Sequence, residues 1–370
     1  MRQITEGALI AEELTRPELD SLGPEWDEMV SRSRRPEPFT RYSFLRTWLD
    51  NFAPEARFRL LVARAGERLV AGLPLIEEPS RMYGIPVRKL RAPANVHSCR
   101  FDLVCEAGRV DAVEALWSHL KSTRAFDVLE IPDVPSDGDA RALLPLAQAD
   151  GFRVTTWESM RTPYVPLAGG FEAVWSKLDA RFRQNLRRRR RKLEQRGKVE
   201  TERVKGGPHL ERYLEEGFAL EDAGWKGRSG TAIARDPVLR GYYAEWARLA
   251  ALRGELSLFF LRLSGRAIGF QYGLASGDTY YLPKTAYDEG ERDCSPGQLL
   301  MEEVLRDCCE RGLKELDFLG PSMPWKQDWT DASRPHHWLY VFGRGAKGAA
   351  LCELKRSWVP AAKEMLSWRR

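Results

Sequence analysis

Leu256-Ser257-Leu258-Phe259-Phe260-Leu261-Arg262-Leu263, the turn Ser264-Gly265 and the returning run Ala267-Ile268-Gly269-Phe270-Gln271-Tyr272-Gly273-Leu274 decide the fold. Two apolar, aromatic-rich runs joined by a small residue and a glycine read as an antiparallel hairpin. Gly277-Asp278 turns the chain again into a third strand, Thr279–Ala286. Gly297–Arg311 then reads as a helix, and Leu313–Leu319 as a further strand. Strands, a helix and a returning strand make an α/β unit.

The same order occurs upstream. Trp26, Met29 and Val30 fit an early helix, and Phe44–Leu49 a second one. Phe58–Arg64 is a strand, Ala65-Gly66 turns it, and Leu69–Leu75 returns. Strands are expected at Val87–Arg91 and Phe101–Cys105. Val110–Leu120 has apolar residues at 113, 116, 117 and 120, a helical spacing, and leads into the strand Phe126–Ile131. The two halves, about Gly66/Asp127 and Gly265/Asp317, match in element order more than in identity, which points to duplication of one unit. The expected boundary lies near Pro166-Leu167-Ala168-Gly169-Gly170, giving domains at residues 1–168 and 169–370. Between the repeat cores, roughly Phe171–Arg196 reads as one long helix. Its apolar stripe runs through 171, 175, 178, 182, 186 and 193, and Gly197 ends it.

A chain of 370 residues suits two domains of ordinary size, and 43% hydrophobic with 30% charged residues belongs to a globular protein. No apolar run approaches the roughly 20 residues of a membrane span. The opening Met1-Arg2-Gln3-Ile4-Thr5-Glu6 lacks the pattern of a secretory signal, so a cytoplasmic location is expected. The six cysteines form no Cys-x-x-Cys pair and have no histidines at zinc-finger spacing, so reduced structural thiols and no metal are expected. Charge is unevenly spread. Arg181–Lys198 holds ten Lys/Arg against one Glu, a local +9 that leaves the rest of the chain at −4 against an overall +5.

Four places suggest chemistry. In Cys294-Ser295-Pro296-Gly297-Gln298, Ser295 reads as an N-cap, Pro296 as the first helical residue and Gln298 as the far side of a capping box. Such a helix start can hold a phosphate, with Gly297 leaving room, although many similar starts bind nothing. Tyr280-Tyr281-Leu282-Pro283-Lys284-Thr285 is a strand interrupted by a proline that cannot donate to a ladder. Pairing must fail or bulge there, making either a slot for an extended ligand or a plain edge strand. Lys284 is expected on the face of Tyr280 and Leu282. After Leu316-Asp317-Phe318-Leu319-Gly320 come Trp325, Lys326 and Trp329, beyond a strand end where α/β proteins place ligands. Glu221-Asp222-Ala223-Gly224-Trp225-Lys226-Gly227 puts acids, an aromatic and a lysine on a glycine-broken loop. For each, a structural role is the alternative: Asp317 as a cap, the tryptophans as core. The run Arg187–Arg191 is either a solvated basic face or a dock for phosphates, including those of RNA.

Arg183-Gln184-Asn185-Leu186-Arg187-Arg188-Arg189-Arg190-Arg191-Lys192-Leu193-Glu194 resembles the basic helix of the GNAT-like acetyltransferases associated with cellulose biosynthesis, the CelD type. Glu221 to Ile233 resembles that family's Trp-Lys-Gly loop, Cys294 to Leu300 its cofactor loop, and Asp317–Gly320 with Pro324–Trp329 its terminal motif. The resemblance implies an α/β (α+β) tandem GNAT-like fold, two mixed sheets each flanked by helices, related to the FemAB-type transferases. It further implies acyl-CoA held by Ser295, Pro296, Gly297 and Gln298, with the thioester beside a bulged strand at Pro283. The chain departs from the usual Gln/Arg-x-x-Gly-x-Gly/Ala loop, keeping only Gly297.

The reaction expected is acyl transfer from a thioester to an amine or hydroxyl of a small molecule or polysaccharide. Glu221 or Asp317 would serve as base, Lys226, Lys284 and Lys326 as substrate or phosphate contacts, and Trp225 as a pocket wall. Two alternatives stand beside it. One is a FemAB-like enzyme using aminoacyl-tRNA bound through Arg187–Arg191, and the other a noncatalytic binding protein.

Overall fold

Gly66 and Gly265 both have positive φ, 62° and 85°, the backbone that a tight hairpin turn demands. Each turn closes an antiparallel hairpin in the computed structural model, which describes residues 9–124 and 126–358. The opening residues 1–6, read as carrying no signal, lie outside the described part.

In chain order the first elements are β1 (Leu9–Leu14), α1 (Arg16–Ser21), α2 (Gly23–Arg32), α3 (Tyr42–Phe52), β2 (Arg57–Ala65) and β3 (Arg68–Met82). Then come β4 (Ile85–Arg91), β5 (Val104–Cys105), α4 (Val110–Thr123), β6 (Val128–Pro135), α5 (Leu143–Ala149) and β7 (Arg153–Pro166). They are followed by α6 (Gly170–Lys177), α7 (Ala180–Glu194), β8 (Val199–Val204), α8 (Leu210–Ala223), α9 (Trp225–Arg228) and α10 (Pro237–Leu252). The last are β9 (Leu256–Leu263), β10 (Arg266–Ser276), β11 (Thr279–Tyr287), α11 (Pro296–Glu310), β12 (Glu315–Asp317), α12 (Pro324–Gln327), β13 (Ser333–Phe342) and α13 (Ala346–Glu353).

The chain forms two compact units. Unit one comprises Met1–Leu45, Ala53–Met160 and Pro335–Arg370, and unit two comprises Arg46–Phe52 and Arg161–Arg334. They depart from the division at residue 168 in three places: unit two already begins at Arg161, the chain from Pro335 onward returns to unit one, and Arg46–Phe52 of α3 counts with unit two, where Phe52 meets Tyr242 at 4.8 Å.

Unit one orders its strands β1-β2-β3-β4-β6-β13, with β5 on β3. Its β4·β6 pair is parallel, as expected for a pair joined through a helix, here α4. Its core brings Leu61, Leu73 and Ile131 from the strands against Leu116, Trp117 and Leu120 of α4. Unit two repeats the scheme as β12-β11-β10-β9-β8, with the end of β7 on β12, and β11·β12 as its parallel pair across α11. Phe259, Leu261, Tyr280 and Leu282 face Leu300, Val304 and Cys308 of α11, while α8 and α10 cover the other side. The mixed α/β fold is therefore the one expected.

Three local expectations fail. The single helix over 171–196 is broken at Leu178-Asp179, because Asp179 caps a new helix, accepting from the amides of Arg181 and Phe182. The strand expected at Phe101–Cys105 shrinks to Val104–Cys105. Lys284 does not share a face with Tyr280 and Leu282, for a reason given below. The cysteines are free thiols. Burial pushes Cys105 up to about 12 and Cys308 higher still, as suits inert packing groups. Among the described residues, no helix is long and apolar enough to cross a membrane.

Candidate functional site

The β11·β12 ladder is short. It pairs Thr279 with Glu315, Tyr280 with Leu316 and Tyr281 with Asp317, and among the described residues goes no further. One residue beyond, the other side of β11 is also disturbed: its register on β10 jumps from Leu274↔Tyr281 to Tyr272↔Lys284, so Leu282 and Pro283 together oppose Gly273. Pro283 has no N–H to give, and the extra residue is taken up as a bulge. Gly273 fits beneath it because a Cβ there would stand 1.9 Å from the Tyr280 hydroxyl. After the bulge, β11 continues on β10 to Tyr287, and among the described residues no strand lies on its other edge. The bulge also reverses the alternation of side chains. Lys284 now lies opposite Tyr272 and 5.1 Å above the Tyr243 ring, on the α8/α10 side of the sheet.

α11 starts beside this open half of β11. An added Cβ on Gly297 would meet Tyr287 Cδ1 at 3.5 Å, and one on Gly269 would stand 3.6 Å from the Pro296 carbonyl. The capping box does not form. Ser295 sits in the left-handed region at φ 49° and its side chain makes no cap hydrogen bond. Gln298 turns away from the helix start: its Nε2 donates to the Trp325 carbonyl and to Asp328 Oδ2 at 3.0 Å, and its Oε1 accepts from Trp329 Nε1. The helix dipole and the first-turn amides remain, which is the anion-holding part of the expectation. Through Gln298, α11 grips the 325–329 segment beyond β12. An open strand edge, a helix start and that segment thus border one region of unit two, called the slot below.

The slot's walls are held by residues the sequence suggested for chemistry. Asp317 is 0% exposed; Oδ1 accepts from the Leu319 amide at 2.8 Å and Oδ2 from Arg334 Nη1 at 3.0 Å. Lys326, 5% exposed, donates to the carbonyls of Leu319 at 2.5 Å and Pro321 at 2.9 Å. Both are struts that fix the chain after β12. Glu221 is buried on α8; its Oε1 accepts from Lys226 Nζ at 2.6 Å and its Oε2 from the Ile233 amide at 2.9 Å. Lys226 Nζ also donates to the Thr285 carbonyl at 3.2 Å, joining this loop to the open half of β11. Glu221, Lys226 and Thr285 are therefore brought together, whereas Asp317 and Lys326 belong to the opposite wall. Trp225 is 55% exposed, on α9 with Lys226, so the loop expected over Glu221–Gly227 is helical on both sides of Gly224.

Residues that sequence reasoning passed over also line the slot. Tyr287 stands at its mouth, and Asp328 stands on the wall, where burial raises its carboxyl above the ordinary value despite the Gln298 amide and the charge of Arg189. Asp328 lies inside the Pro324–Trp329 stretch already singled out, so its position was readable though its partner was not. Three donor atoms of Glu291, Asp293 and Cys294 lie within 4.8 Å of one another just before α11. Both carboxylates there are engaged, Glu291 by Arg196 and Arg266, and Asp293 by Lys192 of α7 and by Arg196 just after it.

The basic run of α7 divides in two. Arg190 pairs with Glu302 and Glu303 of α11, and Arg187 lies over the Trp175 ring. Arg181, Arg188 and Arg191 are exposed and form no ion pair among the described residues.

The Acetyltransferase (GNAT) domain family matches residues 180–327. No curated protein sequence matches the chain. Among solved structures the chain resembles FemX, at 12% identity and a TM-score of 0.58, over 89% of this chain and 96% of that one. It resembles equally the C-terminal domain of a putative lysylphosphatidylglycerol synthetase from Agrobacterium fabrum, at 13% identity and TM-score 0.53, over 91% and 96%. A conserved protein of unknown function from Bacteroides thetaiotaomicron matches at 12% identity and TM-score 0.51, over 91% and 100%. At such identities the likeness is one of fold.

Proposed function

We propose that the slot of unit two is the donor site of an acyltransferase of the GNAT kind, taking acyl-CoA or a similar thioester. The acyl group would pass to an amine or hydroxyl of a small-molecule or glycan acceptor. The observation that carries this reading is the parallel β11·β12 ladder that stops at Tyr281 before the Pro283 bulge, with α11 starting beside the gap. An unpaired strand edge can take the amides of an extended ligand, and the helix start at Ser295, Pro296 and Gly297 suits its phosphates. Gln298 contributes by holding the far wall. The GNAT-family match over 180–327, which spans all these residues except the tail of the wall, supports the reading. The finer likeness to the cellulose-associated CelD type belongs to the same proposal.

Acyl transfer needs a group to take the nucleophile's proton, a donor for the developing oxyanion and an acid for the leaving thiol. Glu221 is the carboxylate we assign to the proton. It lies against the open half of β11 through Lys226, and an entering acceptor amine would replace the Lys226 ammonium on Oε1. Lys284 and Trp225 stand on this side as acceptor contacts. Asp317 and Lys326, with their polar atoms already engaged, keep a positioning role. Glu221→Gln is expected to lower turnover roughly 10²–10⁴-fold; turnover equal to wild type sinks the assignment.

The reading is tested by calorimetric titration with acetyl-CoA and CoA. Saturable micromolar binding is expected. No heat with either ligand removes the CoA-donor reading and leaves the tRNA-dependent and the noncatalytic ones. A second reading, aminoacyl-tRNA as donor, is favoured by Arg181, Arg188 and Arg191 on α7, exposed and without an ion pair among the described residues. It requires charged tRNA to bind with an affinity that falls steeply between about 50 and 200 mM salt. Binding that ignores salt, or none, eliminates it.

A further inference from the structure

Gln271 is 0% exposed, and neither its amide oxygen nor its amide nitrogen has a hydrogen-bond partner. It stands on β10, which runs in regular register on β9 from Gly269 to Leu274. Gln271 therefore shares a face with Gly269 and Gly273. That face looks toward α11: a Cβ on Gly269 would stand 3.4 Å from Leu300 Cδ2 and 3.6 Å from the Pro296 carbonyl. Across the ladder its neighbour is Thr285, two residues past Pro283, on the half of β11 whose other edge carries no strand among the described residues. Gln271 thus lies under the first turns of α11, one strand in from the slot.

A primary amide offers two N–H donors and a carbonyl with two lone pairs, and burying it with all of these unmet costs stability. Its neighbours on this face are Phe259, Leu261, Gly269, Gly273, Leu282 and Thr285, whose hydroxyl donates to the Phe270 carbonyl at 3.3 Å. Tyr280, whose hydroxyl is also buried without a partner, accounts for itself by ring packing against Phe259. Gln271 has no such compensation, since leucine or methionine would fill the same volume without the unmet amide. Buried polar groups in this state are accounted for when a ligand completes them.

We propose that Gln271 reads the acyl group of the donor, and that this group carries a hydrogen-bonding substituent, a hydroxyl or an amine, instead of being a plain alkyl chain. The inference rests on the donor reading of the preceding subsection. An acyl chain entering past Pro283 and over Thr285 meets the Gln271 amide next, and only a polar substituent satisfies it. The slot then selects donors by what the amide loses when it is left unpaired, a stronger discrimination than a methylene more or less provides.

The test uses the full chain and its Gln271→Met variant, titrated calorimetrically with CoA, butyryl-CoA, 3-hydroxybutyryl-CoA and β-alanyl-CoA. Wild type is expected to bind at least one polar donor roughly tenfold or more tighter than butyryl-CoA. Gln271→Met is expected to level or reverse that ratio while binding CoA as wild type does. Should the methionine variant fail to fold, Gln271→Asn, which withdraws the amide by one methylene, is expected to reduce the ratio in the same direction. If CoA does not bind wild type, the donor reading falls and this proposal with it. If CoA binds but neither polar donor is favoured over butyryl-CoA, or the folded variant keeps the wild-type ratio, this proposal alone is overturned.

Discussion

The parallel pair of unit one and the parallel pair of unit two are built from the same parts and end differently. In unit one, β4 meets β6 at Lys89, Leu90 and Arg91, and the Ala92 amide carries the ladder one bond further, to the Glu130 carbonyl. The downstream end of β4 is closed. In unit two the pairing occupies the first three residues of β11, and among the described residues no second strand pairs with the six that follow. The helix starts differ as well. α4 begins at Arg109 and Val110, where Asp111 already compensates the helix dipole and grips Arg109. α11 begins with no acidic residue in its first turn. One proline and one missing carboxylate thus separate a closed repeat from an open one, which is why the ligand site is assigned to the second.

The sharpest way to break the comparison is to fill one helix start and then the other. Gly297→Ala should be tolerated, because its Cβ would find only ordinary contact with Tyr287. Gly297→Trp should lower CoA affinity by roughly 100-fold, about 2.7 kcal/mol, as measured by calorimetry. Val110→Trp at the start of α4, where the side chain is exposed, should leave affinity unchanged. Equal losses at both positions would mean that the repeats do not differ in this way.

A second contrast concerns the glycine beneath a ring in each returning strand. A Cβ on Gly273 would stand 1.9 Å from the Tyr280 hydroxyl, and one on Gly72 would stand 2.4 Å from the Trp26 ring. Both alanine substitutions should destabilise by about 1–3 kcal/mol through overpacking, read by chemical denaturation. Only Gly273→Ala should also weaken CoA binding, because it disturbs the bulge. Pro283→Val, which restores a ladder donor, should narrow the slot and weaken CoA roughly tenfold, with no loss of stability. Tighter binding would contradict the role given to the bulge.

The smallest effect expected is one of pH. Lys192 and Arg196 hold the Asp293 carboxyl well below the usual carboxylate range. A carboxylate depressed in the folded state contributes stability above its unfolded pKa and loses it as pH falls through the folded value. Asp293→Asn should therefore cost a little stability at neutral pH, and the difference from wild type should vanish in strong acid. A difference that grows on acidification would contradict the pairing.

These contrasts also mark where sequence was readable. Leu256–Leu263 was read with the ends the structure gives it, since its apolar run and glycine turn are local signals. The disturbance at Pro283 was readable too, from the missing N–H. What it does to Lys284 was not, because the parity of a strand after a bulge depends on which partner residue absorbs the extra one. The break at Leu178 was hidden by an apolar stripe that stays in phase through it, although Asp179 was a cap in plain view. At Ser295 the local capping rule lost to distance: Gln298 prefers partners 27 to 31 residues further on. Asp317 and Lys326 looked chemical because they are charged near a strand end. Their work as struts depends on Arg334 and on the carbonyls of Leu319 and Pro321, which no spacing announces.

The measurement that bears most directly on the open repeat is amide hydrogen exchange with and without saturating CoA. Added protection is expected at Lys284–Tyr287 on β11 and at Gly297–Leu299 on α11, with none at Lys89–Ala92 or at the start of α4. Protection at the start of α4 with β11 unchanged would contradict the account and move the site to the first repeat.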